Sequence, residues 1–565
     1  MSISRERSSG SLRLDRSMVR TWLIPSLLVG CLVLVLTEAA AYAYEGREEF
    51  ARIYLRLFIE DRRIALAAVA VLTVAPLLSL VLARPAAAMV DLFNRRPGTA
   101  AACTGVLLSI GAVGALLRFP LSADEVATVF QARIFAAGEA AAQMLHGLAG
   151  HAIPQEYVGF FYDVDSATGR VAANYWPGHA LLMAPFARFG VPYLLNPLIG
   201  ALSILAIHRL AARLFPGTSA PGLAVLFVLA SPAFTFNAMS FFAMPAHLLA
   251  NTLYVLLLLN PTAGRLLSAG AIGGYALLLH QPFPHALFAL PWVLWLGLHA
   301  GGFRRILLLA AGYLPILLVG AGLWLWLHAG IGGFGGAATS EFGQATNENP
   351  LEAVRYAFSL PNATVLMVRA TDLAKIIIWS APGLFVLAIL GGARMFGRIE
   401  VRLLIASAGL MFFGYLVVFF DQGAGWGSRY FHPAWMVLPL LAAGFVATRD
   451  GQHMSNARWM SVVPATMLAS LLVVNGVTTV GIRRFMQEHV AQLPSLESGI
   501  RHVVVLNTTR GYYVRDLIQN DPFLRGPVIY LEGSGGAEDD AIVTRSFPTA
   551  RLLRREVVGN VWRID

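Results

Sequence analysis

Charge is the scarcest ingredient of this 565-residue chain: Asp, Glu, Lys and Arg make up 13% of it, against about 25% in an ordinary soluble domain. Lysine is almost missing. Lys375 is the single example, so nearly all the basic charge is arginine. The two cysteines, Cys31 and Cys103, both lie inside apolar runs, which excludes a disulfide framework and a cysteine metal cluster. The first apolar run has no small-residue cleavage pattern close behind it, so it reads as a retained anchor and not a removed signal peptide.

What fills the space is apolar. The chain is 57% hydrophobic, its mean hydropathy is +0.64, and many runs approach the ~20 residues that a helix needs to cross the hydrocarbon core. The composition is that of an integral membrane protein whose first partner is the lipid bilayer. The net charge of +10 is not a nucleic-acid footprint, because the arginines sit mostly in short segments between apolar runs, where they set topology.

Read in order, Arg5, Arg7, Arg13, Arg16 and Arg20 place the N-terminus in the cytoplasm. About thirteen spans follow, near 22–44, 64–83, 98–117, 191–213, 220–237, 244–260, 266–282, 284–299, 306–328, 374–393, 402–420, 433–447 and 460–481. With that count, every segment predicted to face inward is basic. Residues 45–63 mix acids and arginines and read as an amphipathic surface helix.

Four parts result. Residues 1–117 are a cytoplasmic tail and three spans, and 118–190 form a long outer-face loop. Residues 191–481 hold the remaining spans with a second outer loop at 329–373, and 482–565 form a small periplasmic α/β domain. In that last part 502–506, 528–531 and 541–544 read as buried strands, with a helix over 511–520. The fold class is therefore an all-α polytopic membrane protein with a small α/β C-terminal domain.

The first outer loop opens with adjacent carboxylates, Asp124 and Glu125, at the start of a helical stretch, 123–147. It continues through a hairpin over 157–176 that turns at 165–169, and closes with Tyr175-Trp176-Pro177-Gly178-His179 before a short apolar helix, 178–189. A late outer turn, 421–432, is glycine-rich and carries Arg429, Tyr430 and His432.

The order of these features resembles the GT-C superfamily of membrane glycosyltransferases, in the branch of the protein O-mannosyltransferases and lipid A aminoarabinose transferases. The matching pieces are Ala123-Asp124-Glu125, Tyr175-Trp176-Pro177-Gly178, the span from Asn196-Pro197 to Arg213-Leu214-Phe215, and Gly427-Ser428-Arg429-Tyr430. The likeness covers roughly 100–450, and its order and topology carry it more than any one motif does. It implies a donor sugar on a polyprenyl phosphate, an outer-loop aspartate that activates the acceptor hydroxyl, and a bacterial inner-membrane enzyme working at its periplasmic face. Two departures stand out: the turn from Asn237 to His247 lacks the second acid of the aminoarabinose transferases, and Trp-Pro-Gly-His stands where they often have Lys-Pro-Pro.

Moving a sugar off a phosphate carrier needs a base, cations for the departing phosphate and an apolar groove for the lipid. Asp124 is the expected base, with Glu125 beside it, although Ser122-Ala-Asp-Glu125 is also a capping box. Arg429 is the first candidate for the phosphate, since arginine binds it in a planar, bidentate way. His179 and Lys375 are weaker candidates, and Tyr175, Trp176, His280 and Tyr430 are candidates for the sugar. His285 is a lesser candidate near an outer span end.

Arg133, on the helix of Asp124, could pair with an acid there. Asp163 and Asp165 form a D-x-D, which at a hairpin reads as turn chemistry. Trp324 and Trp326 read as interfacial aromatics. No cofactor is certain, and a divalent cation could bridge Asp124 to a phosphate.

The reading is thus an inverting glycosyltransferase, hexosyl or pentosyl, acting on an envelope glycan, lipid or protein. The alternatives are a flippase or transporter of lipid-linked sugars, an O-antigen-ligase-like enzyme, and a non-catalytic scaffold.

Overall fold

A computed structural model describes residues 16–44, 52–145, 147–165, 167–299, 301–331, 360–418, 425–448, 453–510 and 514–564. The arginines before residue 16, most of the second outer loop and the first residues of the 421–432 turn lie outside the described residues.

Hydropathy dictates helices wherever lipid must be crossed, because a helix satisfies its backbone polar groups internally. Seven helices among the described residues are long and apolar enough to span: Arg16–Ala39, Ala75–Arg95, Pro97–Gly114, Pro192–Leu214, Gly302–Ala329, Ile399–Val417 and Arg458–Val490. Five shorter apolar helices lie among them, Ala220–Leu229, Met244–Leu258, Phe283–Leu298, Leu384–Arg394 and His432–Ala447.

Some of these helices are divided differently from the expected spans, for physical reasons. The run 220–237 is broken at Ser231-Pro232 into Ala220–Leu229 and Pro232–Asn237, because proline suits the first turn of a helix and removes a backbone hydrogen bond from the interior of one. Every residue of Ala220–Leu229 is buried, so its all-round apolarity serves protein packing more than lipid contact. The expected surface helix and second span are divided differently too. One helix runs Arg52–Thr73 and the next Ala75–Arg95, with Pro76 in the first turn of the second.

The first outer loop builds a helix, Ala123–Ala136, and a small antiparallel sheet of order β1-β3-β2, with β1 Ala142–Gln143, β2 Tyr162–Asp165 and β3 Arg170–Ala173. The expected helical stretch thus stops eleven residues short of 147, and β1 lies beyond it.

Toward the C-terminus a four-stranded sheet of order β5-β4-β7-β6 forms from β4 Arg501–Asn507, β5 Val528–Gly533, β6 Arg551–Arg555 and β7 Gly559–Ile564. β4 and β5 are parallel; the other pairs are antiparallel. Two expectations are corrected here. Residues 541–544 belong to a helix, Ala537–Ser546, whose first turn carries Glu538, Asp539 and Asp540, an acid-rich start that suits a helix dipole. Of the helix expected over 511–520, residues 511–513 lie outside the described residues, and the rest shows only a short 3-10 turn, Val514–Leu517.

This sheet is not a separate body. Phe130, Ile134, Val164 and Val171 of the outer loop share one hydrophobic core with Val503, Val505, Ile529 and Trp562. Hydrogen bonds close the seam: Gln519 Nε2 donates to the Pro120 carbonyl at 2.9 Å and Asn520 Nδ2 to the Ala152 carbonyl at 2.9 Å.

Among the helices, the one lysine is spent on a buried ion pair. Lys375 Nζ lies 2.6 Å from Asp61 Oδ2, while Trp379 Nε1 donates to Asp61 Oδ1 at 2.5 Å. Removing one partner of a buried pair leaves an uncompensated charge. Lys375→Met should therefore destabilise by about 3–5 kcal/mol, and adding Asp61→Asn should recover most of the loss. Thermal unfolding of both variants in detergent checks this, and a double variant no more stable than the single one would count against a paired charge.

Candidate active site

The helix Ala123–Ala136 begins at Ser122, which has extended backbone angles and whose carbonyl accepts from the Glu125 and Val126 amides. The capping box forms only in part. Ser122 makes no side-chain cap bond, and Glu125 reaches back past it, accepting from the Leu121 amide at 2.7 Å and the Phe241 amide at 2.8 Å. Glu125 is buried, and burial pushes its carboxyl up to about 7. It ties the helix start to the 240-region turn and leaves Asp124, the next residue back, as the carboxylate with an open face.

Asp124 is held from two sides. Tyr175 donates its hydroxyl to Asp124 Oδ1, and Arg429 Nη1 lies 3.2 Å from Asp124 Oδ2. The Asp124 side chain keeps 18% exposure, against 6% for Arg429. Burial and the neighbouring Asp124 charge raise the Tyr175 hydroxyl well above its ordinary value, so the phenol stays a donor.

Tyr175 owes its place to the Trp-Pro-Gly-His segment. The Gly178 amide donates to the Leu278 carbonyl at 2.7 Å and the His179 amide to Leu279 at 3.0 Å. A Cβ at 178 would sit 2.6 Å from the Leu278 oxygen, so only glycine allows the two backbones to lie this close. The zipper sets Tyr175 against His280, with ring centroids 3.9 Å apart. His280 is lowered to about 4 and His179 to about 3, chiefly by burial, so both rings are neutral at pH 7.

Arg429 is seated on the Phe242 ring, 4.4 Å from its centroid. Beside it Tyr430 stacks on Tyr415 at 4.1 Å and 7°, with the Arg369 guanidinium 5.2 Å from the Tyr430 ring. Arg369 is itself locked, donating to Asp372 at 2.7 Å and to the Tyr415 and Val418 carbonyls at 3.0 and 3.1 Å. Phe242, Tyr415 and Arg369 escaped the sequence reading. Arg369 and Asp372, three apart on a helix, were the available signal.

The structure therefore brings together Asp124, Tyr175, His280, Arg429 and Tyr430. The remaining candidates are placed otherwise. Lys375 is paired with Asp61, and His179 Nε2 lies 3.2 Å from the Phe241 carbonyl. His285 sits between Asn251 at 2.7 Å and Tyr313 at 2.6 Å. Trp176 packs beside the buried Trp324, while Trp326 is exposed. Trp324 is thus a packing residue and not an interfacial one.

The D-x-D splits: Asp165 accepts from the Ala167 and Thr168 amides of the turn, whereas Asp163 is buried, 2.5 Å from His328 Nδ1. As i and i+2 of one strand they share a face, but each carboxylate is already held by its own partners, the turn amides for Asp165 and His328 for Asp163. Arg133 borders a surface groove with Asp521. No group of three or more His, Cys, Asp or Glu suited to a metal occurs among the described residues. Both Asp124 oxygens have partners, one of them a cation.

One further carboxylate approaches the site from the 3-10 turn Val514–Leu517, between β4 and β5. Asp516 is buried, accepts from the Tyr157 hydroxyl at 2.5 Å, and lines a small cavity with Ala123 at the start of the Asp124 helix. Burial, with the Asp124 and Glu125 charges adding to it, raises its carboxyl well above the ordinary range.

No protein-family model and no curated protein matches the chain. Among solved structures, the chain is similar to ArnT from Cupriavidus metallidurans bound to undecaprenyl phosphate, at a TM-score of 0.48, and to the same protein in the apo state, at 0.49. Each is 14% identical, and each match covers 82% of this chain and 97% of the other.

The Asp516 environment yields a signed expectation. A carboxyl whose pKa is raised on folding stabilises the fold below its unfolded value and loses that contribution as pH rises through the folded one. Asp516→Asn, neutral at every pH and still able to accept from Tyr157, should raise the melting temperature by a few degrees at pH 8, with the gain shrinking toward pH 4. A gain independent of pH would show that the carboxylate charge is not what the fold resists.

Proposed function

We propose that this chain is an inverting membrane glycosyltransferase that moves a hexosyl or pentosyl group from a polyprenyl-phosphate donor to a hydroxyl of a cell-envelope glycan, lipid or protein. The observation that carries the reading is the Asp124 carboxylate, open on one face and gripped on the others by Tyr175 and Arg429. The working side is the one bearing the two sheets, read as the periplasmic face of a bacterial inner membrane.

In the proposed reaction the acceptor O–H gives its proton to Asp124 as the oxygen attacks the anomeric carbon. The bond from that carbon to the phosphate oxygen breaks, and the phosphate leaves on its lipid with the electron pair. Attack opposite the leaving group inverts the anomeric configuration. Tyr175 fixes the rotamer of the base, and its raised pKa keeps it from competing for the proton. Arg429 already faces an oxyanion, and its fork can turn from Asp124 to the departing phosphate. Its seat on Phe242 and the Tyr430–Tyr415 stack hold that fork in place. His280, neutral and packed on Tyr175, offers a flat surface and a hydrogen-bonding ring to the sugar.

General-base catalysis contributes about 10²–10⁴-fold, so Asp124→Asn should lower kcat by about that factor while donor binding persists. Arg429→Lys keeps the charge and loses the fork; it should lower kcat/KM by about tenfold or more. Transfer from synthetic short-chain polyprenyl-phosphate sugars to host lipid extracts, with purified protein in detergent, measures both. Equal transfer by wild type and Asp124→Asn would remove Asp124 from the mechanism.

A further inference from the structure

The helix Arg52–Thr73 lies against the segment that carries the chain from the membrane to the C-terminal sheet, Ser470–Val490. The contact is close because Gly481 has no side chain. A Cβ there would stand 1.8 Å from Glu60 Oε2, so the Glu60 carboxylate rests directly on this helix. Arg63 bonds Glu60 at 2.5 Å and remains 39% exposed. Arg484 also faces Glu60 electrostatically and is exposed.

Below this charged head a groove of about 490 Å³ opens along the helix, with Arg63 and Arg484 at one end. Its walls are apolar and outward-facing: Leu472 is 61% exposed and Val480 62%. Gly476 forms part of the floor, and a Cβ built there meets nothing within 4 Å. From Leu472 to Arg484 a helix rises about 18 Å, close to one leaflet of a hydrocarbon core about 30 Å thick. Two cations head a groove one leaflet deep, at the end nearest the sheet.

We propose that this groove binds one anionic phospholipid of the leaflet on the sheet side, with its phosphodiester between Arg63 and Arg484 and an acyl chain along Leu472–Val480. The charges argue for that occupant. Glu60, which bonds Arg63, and Glu488 lie at the same end, but of these charged groups only the two arginines line the groove. Guanidinium forks match phosphate oxygens in pairs, and the lipid-facing walls suit a chain better than a soluble anion. The site is independent of the transfer reaction and shares no residue with it.

Native mass spectrometry of the full-length protein in detergent, titrated with phosphatidylglycerol and with phosphatidylcholine of the same chains, tests the proposal. One phosphatidylglycerol should be retained selectively. Arg484→Ala and Gly476→Trp should each weaken it by about tenfold or more, the range expected for losing a hydrogen bond to a charged group, whereas Arg551→Ala, on exposed strand β6, should not. Neither test variant touches the Arg63–Glu60 bond, and unchanged melting temperatures would confirm that both fold. Equal retention of the two lipids, or no effect of either variant, overturns the proposal. Displacement of phosphatidylglycerol by undecaprenyl phosphate at equal concentration overturns it too, and assigns the groove to the polyprenyl lipid.

Discussion

Everything about the candidate site depends on one carboxylate being gripped by residues that the chain delivers from three directions. Asp124 comes from the first outer loop, Tyr175 from the end of that loop, and Arg429 from a turn near the last spans. A half-buried carboxylate facing a fully enclosed guanidinium is costly to assemble unless its geometry is fixed. The surroundings supply that fixity. Glu125 pins the helix start to the Phe241 amide, Phe242 carries the arginine, and the Gly178 zipper carries the tyrosine. These supports are neutral rings, backbone amides and one anchored acid, so the field at Asp124 is set mainly by Arg429 and Tyr175.

How much of this was legible varied with the range of the interaction. Local signals were readable: the start of the Asp124 helix, the hairpin turning at 165–169, and strands β4 and β5. The strand read at 541–544 failed because four residues of Ala-Ile-Val-Thr outweighed the acids just before them, which mark a helix start. The bounds of individual spans were hard to read for a deeper reason. An apolar run such as Ala220–Leu229 looks the same whether it meets lipid or is enclosed by other helices.

Partners distant in sequence could not be read. Lys375, at the outer end of a span, looked available to a phosphate, but its counter-ion is 314 positions earlier. Asp516 sits in a loop, where aspartate is a routine turn residue, and nothing local points to Tyr157 or to the start of the Asp124 helix. In each case the residue type was informative, while the role was set by a contact that only the fold creates.

The shared core between the outer loop and the C-terminal sheet carries a consequence for the order of synthesis. The helix of Asp124 packs through Phe130 and Ile134 into a core that Trp562 and Ile564 complete, and β7, which holds both, lies between β4 and β6. The ribosome makes the carboxylate long before the strand that closes its support. A nascent or truncated chain can therefore occupy the membrane without a finished site.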